Sequence, residues 1–212
     1  MSELFYHTVR VLGTPVFSVA SQPLILHRER AMLPGAYLLA ANHESAFDAA
    51  LLIATTPRVI YWLSIVELFQ HPLSRWFLRA MGASPLDRSR ADTTTVRTIT
   101  GHLRAGRVVG IFPEGRLRTG ADSVLERGEL DAGVVRLAQI ARVPVVPCVI
   151  VGGRKFSRWQ NWLPLRRTRW AVAYGEPLHL RPELGREGAR AALRDELQRA
   201  LVSLHAEVRA HV

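Results

Sequence analysis

Between Ala36 and Ala54 the chain carries two apolar runs separated by eight residues of mixed character, Ala41-Asn-His-Glu-Ser-Ala-Phe-Asp48. The first run, Ala36 to Ala40, reads as a buried strand. The second, Ala49 to Ala54, reads as a helix. A His and an Asp are thus set where a strand turns into a helix, and in α/β proteins the strand ends are where sites are built. His43 and Asp48 are five residues apart. On one regular helix that spacing would separate them by roughly 140°. They meet only if His43 lies just before the helix and Asp48 lies in its first turns. Two readings follow. Asp48 orients the imidazole so that the other ring nitrogen can take a proton from a hydroxyl, or His43 is a loop residue and Asp48 simply caps a helix.

Strand and helix patterns continue to alternate along the chain, which predicts an α/β single-domain sandwich: a mostly parallel or mixed sheet flanked by helices, with an N-terminal amphipathic helix. Residues 2 to 12 carry Leu4, Phe5, Val9 and Leu12 at helical spacing, and Gly13-Thr14-Pro15 is expected to end that helix. Val16 to His27 reads as a strand broken near Gln22-Pro23. Val59 to Trp62, Arg107 to Phe112 and Thr168 to Tyr174 are further strand candidates. Pro72 splits 67 to 81 into two short helices or starts one there. Its aromatic-rich apolar face is read as core, with an apolar ligand or lipid as the other candidate. Helices are expected at 93 to 105, 127 to 140 and 188 to 208. Val143 to Val151 holds two prolines, so an edge position, a bulge or a strand end is expected there. Residues 1–30 are taken as a helix and lead-in strand, with the core and a membrane surface as the two candidates for what the helix faces, and residues 31–212 as the remaining domain.

Three further stretches follow in order: Gly82-Ala83-Ser84-Pro85-Leu86-Asp87-Arg88, Phe112-Pro113-Glu114-Gly115-Arg116 and Val143-Pro144-Val145-Val146-Pro147. Together with Asn42-His43-x4-Asp48 they resemble the four blocks of the glycerolipid acyltransferase family, which includes the 1-acylglycerol-3-phosphate acyltransferases. The resemblance covers about residues 36 to 152. It implies transfer of a fatty acyl group from a thioester, acyl-CoA or acyl carrier protein, to the free hydroxyl of a lysophospholipid. His43 would be the general base and Asp48 its orienting partner. Arg88 would bind phosphate, Glu114, Gly115 and Arg116 would hold the glycerol phosphate, and Pro147 would shape an apolar wall. The chain departs from the commonest third block, in which a Thr separates the Gly from the Arg. Here Arg116 follows Gly115 directly and Arg118 comes two later, so either guanidinium is a candidate; Arg116 is favoured. No cofactor and no metal are expected, because one His among scattered carboxylates is not a convincing ligand set. Ser45 lacks the glycine-flanked elbow of a serine nucleophile. Cys148, the sole cysteine, sits in an apolar strand and reads as an inert thiol. A hydrolase using the same pair is the nearest chemical rival, and a different lysolipid such as a lyso-ornithine lipid the nearest rival acceptor.

The net charge of +10 calls for an anionic partner. Nearly all of the positive charge is arginine, Lys155 being the only lysine. Residues 154 to 170 interleave Arg154, Lys155, Arg158, Arg166, Arg167 and Arg169 with Trp159, Trp162 and Trp170. That pattern suits an anionic membrane surface, with indoles at headgroup depth and cations on the lipid phosphates. A solvated loop with its tryptophans tucked beneath is the alternative. Single-stranded nucleic acid would also suit the pattern, but no nucleic-acid motif accompanies it and none is expected as partner. No run reaches the roughly 20 apolar residues of a spanning helix, and no signal peptide is read at the N-terminus. The expected location is the cytoplasmic side of a membrane, held peripherally.

Overall fold

A computed structural model describes residues 3–86, 93–126, 130–164 and 166–211. Seven strands form one sheet: β1 (Ser21–Leu26), β2 (Tyr37–Ala41), β3 (Ile60–Ile65), β4 (Ala83–Leu86), β5 (Val108–Ile111), β6 (Val145–Val151) and β7 (Thr168–Tyr174), in the order β1-β7-β6-β2-β5-β3-β4. The five strands from β6 to β4 are mutually parallel. β7 runs antiparallel to β6, and β1 runs parallel to β7. The sheet is therefore mixed but mostly parallel, as the alternation of patterns predicts. Helices α2 (Asp48–Thr55), α3 (Pro72–Ala80), α4 (Thr93–Arg104) and α5 (Gly133–Ala141) connect successive parallel strands, and the long α6 (Gly185–His211) closes the chain.

Period-2 alternation divides each strand between two cores. From β2, Leu38 and Ala40 join Ile99, Leu103, Val134 and the α6 face Leu193, Leu197, Leu201, Leu204 and Val208. Tyr37, Leu39 and Ala41 join Leu51, Leu52, Ile150, Phe156 and Trp170 on the opposite side. With both faces covered, all five β2 residues are buried, which is why this strand reads as an unbroken apolar run.

The N-terminal helix is longer than the sequence predicts. α1 runs Glu3–Ala20, straight through Gly13 and Pro15. An internal proline removes a helical hydrogen bond and costs about 3 kcal/mol or more. Packing on both sides of Pro15 offsets that cost. Tyr6 is fully buried, and the Phe17 ring meets Phe156, Trp162 and Trp170. The strand expected from Val16 accordingly starts only at Ser21. It is an edge strand, and so it tolerates Pro23.

Pro147 shows which of its three expected settings applies. β6 is central, between β7 and β2, so neither edge nor end is correct. Cys148 faces Tyr174 while Val145 pairs with Leu178. Between those pairs β6 advances three residues and its partner four. The proline's missing N–H falls at this bulge, where its carbonyl still accepts from Gly175 N at 2.8 Å.

Two other differences concern helices. α5 starts at Gly133, not 127; residues 127–129 lie outside the described set. The 67–81 segment does divide at Pro72, into a 3-10 turn (Val66–Phe69) and α3. Its apolar side is core only at its ends, where Phe69 and Met81 are buried. Leu73, Trp76 and Phe77 are exposed, and no residue of α3 is buried.

Candidate active site

β2 ends at Ala41, and Asn42 takes over its ladder. The fully buried amide donates from Nδ2 to Ile150 O (2.9 Å) and accepts Ile150 N at Oδ1 (2.7 Å). A side chain thus makes the two bonds that the next strand residue would make, and the backbone is free to turn. His43 stands on that turn and Asp48 opens α2. One oxygen of Asp48 gathers three donors: Glu44 N at 2.7 Å, Ser45 N at 2.8 Å and His43 Nδ1 at 3.0 Å. Asp48 therefore does not cap α2: its carboxylate ties the loop amides ahead of the helix and holds the imidazole. An acceptor at Nδ1 sets the proton there and leaves Nε2 as the free base. Nε2 meets no hydrogen-bond partner among the described residues, and the His43 side chain keeps 18% of its surface exposed.

Close approaches fix the pair from behind. Asp48 is fully buried, and its second oxygen lies against Gly153; a Cβ on that glycine would stand 2.4 Å from Oδ1. On the other side, the ring of Phe112 lies flat on the imidazole, with centroids 3.9 Å and planes 9° apart.

The loop after β5 supplies the next layer. Glu114 is buried, and its Oε1 accepts His43 N at 3.1 Å. Burial pushes its carboxyl up to about 7, against the opposing pull of the His43 amide and Arg118. Glu44 is also pushed up to about 7, by burial and then by the charge of Asp48. Gly115 takes φ 65°, a left-handed turn that its lack of Cβ permits. Asp131 N donates to Pro113 O at 2.7 Å and braces the turn.

The two candidate arginines of this loop sit in different surroundings. Arg116, favoured from the sequence, is exposed and makes no ion pair among the described residues. Arg118 is half-buried, donates its backbone N to His43 O at 3.0 Å, and turns its charge toward Glu114. Among the described residues its Nε is buried with no partner, as is Glu114 Oε2. Arg88, with Asp87, lies outside the described residues. Pro147 is not brought to this group. It is buried within β6, beside Ala40 and against Gly175, several residues before the strand end. Ser45 is buried and its hydroxyl accepts Phe47 N, so it is not presented as a nucleophile. Cys148 is buried, and burial raises its thiol well above the usual range.

Sequence reasoning missed Phe112, Gly153 and the clamp made by Asn42. The glycine had a readable signal, the pair Gly152-Gly153 directly after a strand. The contact partner of each could not be read without the sheet order.

The chain resembles known proteins. The family model described as Acyltransferase matches residues 25–151, more than half the chain. The chain is 27% identical over 165 residues to the 1-acyl-sn-glycerol-3-phosphate acyltransferase of Bacillus subtilis (strain 168), covering 77% of each. It is 29% identical over 150 residues to the enzyme of that name from Saccharomyces cerevisiae (strain ATCC 204508 / S288c), covering 69% of this chain but 46% of the other. The fold is similar to that of the crystallised 1-acyl-sn-glycerophosphate (LPA) acyltransferase PlsC from Thermotoga maritima, with a TM-score of 0.65 and 19% identity over 95% of this chain and 80% of that one. On the family match and these relatives, the chain belongs to the acyltransferase family and is an O-acyltransferase.

Proposed function

We propose that this enzyme transfers a fatty acyl group from an acyl thioester to the free hydroxyl of 1-acylglycerol-3-phosphate, giving phosphatidic acid. The observation that carries the reading is the 3.0 Å bond from His43 Nδ1 to a buried Asp48, with Nε2 unpartnered. The acceptor hydroxyl gives its proton to Nε2 as its oxygen attacks the thioester carbonyl. The tetrahedral intermediate collapses, the C–S bond breaks, and the imidazolium returns the proton to the leaving thiolate. No acyl-enzyme is needed, and no cofactor beyond the thioester itself, acyl-CoA or acyl carrier protein. Arg118, with Arg116 and Arg88, is assigned to the acceptor phosphate, which fixes where the free hydroxyl stands. Glu114 and Gly115 shape the loop that presents them.

The same reading places the enzyme peripherally on the anionic cytoplasmic face of a membrane. No described helix is long and apolar enough to cross one. α1 instead has a second apolar face. Leu4, Val11, Leu12 and Val19 are exposed and fall within roughly 100° of the helix. Phe5 joins it to α3 through Trp76, at 5.3 Å between ring centroids. The basic stretch contributes less indole than its sequence suggests: Trp159 is 69% exposed, but Trp170 is core.

Purified enzyme with lysophosphatidic acid and a palmitoyl thioester is expected to form phosphatidic acid, and His43→Ala to lose at least about 100-fold in kcat with its fold intact. Thioester consumed only with another lysolipid would change the acceptor. Thioester hydrolysed equally without acceptor would make the enzyme a hydrolase.

A further inference from the structure

Three rings stand in a row at the end of the sheet. The imidazole of His43 lies on Phe112 at 3.9 Å and 9°, and Phe112 lies on Trp62 at 5.1 Å and 17°. Gly110 makes room for the last ring, since a Cβ there would stand 2.5 Å from the Trp62 indole. Trp62 is buried in the core, so Phe112 is backed by a ring that cannot recede. Neutral aromatic rings prefer offset or edge-on contact. A nearly parallel imidazole gains most from this arrangement once it is charged, when the electron-rich face of Phe112 meets a cation.

We infer that Phe112, backed by Trp62, is a positioning residue: it holds the plane of the His43 ring and favours the imidazolium formed as the acceptor hydroxyl gives up its proton. The inference rests on His43 being the base. The charged and titratable groups around His43 act elsewhere than on the ring face. Asp48, from α2, bonds Nδ1; Glu114 bonds the backbone amide; the Arg118 backbone N–H bonds the carbonyl, and its charge acts on Glu114. Glu44 lies beside Asp48, with Arg154 offsetting its charge.

The test compares wild type, Phe112→Leu and Phe112→Tyr by proton NMR of the His43 ring and by the pH–rate profile of acyl transfer. With Leu, the His43 ring protons lose the shielding of the aromatic face and move downfield. kcat falls about 5- to 30-fold, while KM for the acceptor changes by less than about twofold. The acidic limb of the profile moves to lower pH, because the imidazolium has lost a stabilising neighbour. Tyr, which keeps the face, restores all three. If Phe112→Leu is poorly folded, Trp62→Phe is measured instead, with a smaller change in the same directions expected. A leucine variant with wild-type kcat and acidic limb, or a tyrosine variant as impaired as leucine, overturns the inference, since the ring would then only fill space. His43→Ala that still transfers acyl groups would instead remove the proposed base, whatever Phe112→Leu does.

Discussion

The two loops that meet at His43 are built in opposite ways. In the β2–α2 turn most polar groups have a partner: Asn42 makes both bonds to Ile150, and one Asp48 oxygen collects three donors, while its other oxygen, Oδ1, is buried against Gly153 without one. In the loop after β5 the side chains are less fully paired. Glu114 Oε1 meets the His43 amide, but Glu114 Oε2 and Arg118 Nε are buried without a partner among the described residues, and Arg116 is exposed. Buried unpaired groups are costly, and such costs persist where a site is shaped for something else. The first loop holds the imidazole in one geometry, which suits the proposed proton transfer. The second leaves the buried Arg118 Nε donor unused, which suits the proposed binding of a phosphate.

The largest effects are expected from breaking the satisfied loop. Asp48→Asn keeps the shape but offers an amide where the imidazole N–H needs an acceptor, so the wrong tautomer is favoured. A loss in kcat on the order of 10³-fold is expected, with acceptor KM changed by less than about threefold. Gly153→Ala tests the same carboxylate from behind. Its methyl would stand 2.4 Å from Asp48 Oδ1, forcing the oxygen away and lowering kcat by about 10- to 100-fold. Steady-state kinetics decide both. Normal turnover in Gly153→Ala would mean that the turn yields and is not as fixed as its bonds suggest.

How far the sequence reveals this contrast depends on the range of each interaction. The His43–Asp48 turn is local, spanning five residues, and its pattern was readable before any fold was known. Likewise the alternation of strands and helices, and the terminal helix with Leu193, Leu197 and Leu201 on one face, are short-range signals. Phe112 against His43 and Gly153 against Asp48 bridge strands distant in sequence, and only the sheet order brings them together. Pro15 in a helix misleads for the same reason: tertiary packing overrules a local rule. Pro147 leaves three settings open in the sequence, and only the sheet order selects the bulge. The aromatic face of α3 misleads differently, because helical spacing reports an apolar stripe but not what lies against it.

The open loop should respond in binding and not in turnover. Arg118→Ala is expected to raise KM for lysophosphatidic acid about 10- to 100-fold, the value of a charge-assisted hydrogen bond or two. Arg116→Ala, removing an exposed side chain at the rim of the loop, is expected to raise it less than about fivefold. Acceptor titrations at saturating thioester rank the two. A larger effect at Arg116 would reverse their roles and mean that the loop rearranges when substrate arrives. A fall in kcat without any rise in KM would sink the division between the loops.

The smallest effect is on stability, and it isolates what the unpaired groups cost when no substrate is present. The Glu114 carboxyl titrates at about 7 in the fold, against an ordinary value of 4.5, because burial disfavours its charge. A raised carboxyl stabilises the fold relative to the unfolded chain only while it is protonated. That contribution is whole below about pH 4.5 and is lost as pH rises through about 7. Glu44, raised to about 7 as well, adds in the same direction. Glu114→Gln keeps an acceptor for the His43 amide and cannot ionise. Urea midpoints measured from pH 5 to pH 8 should therefore fall for wild type relative to Glu114→Gln, by an amount worth on the order of 1–3 kcal/mol. Lysophosphatidic acid should narrow the gap at pH 8 if the bound acceptor gives Glu114 Oε2 a donor. Parallel curves for the two proteins would mean that Glu114 is already compensated in the free enzyme, and the contrast between a satisfied and an unsatisfied loop would lose its energetic basis.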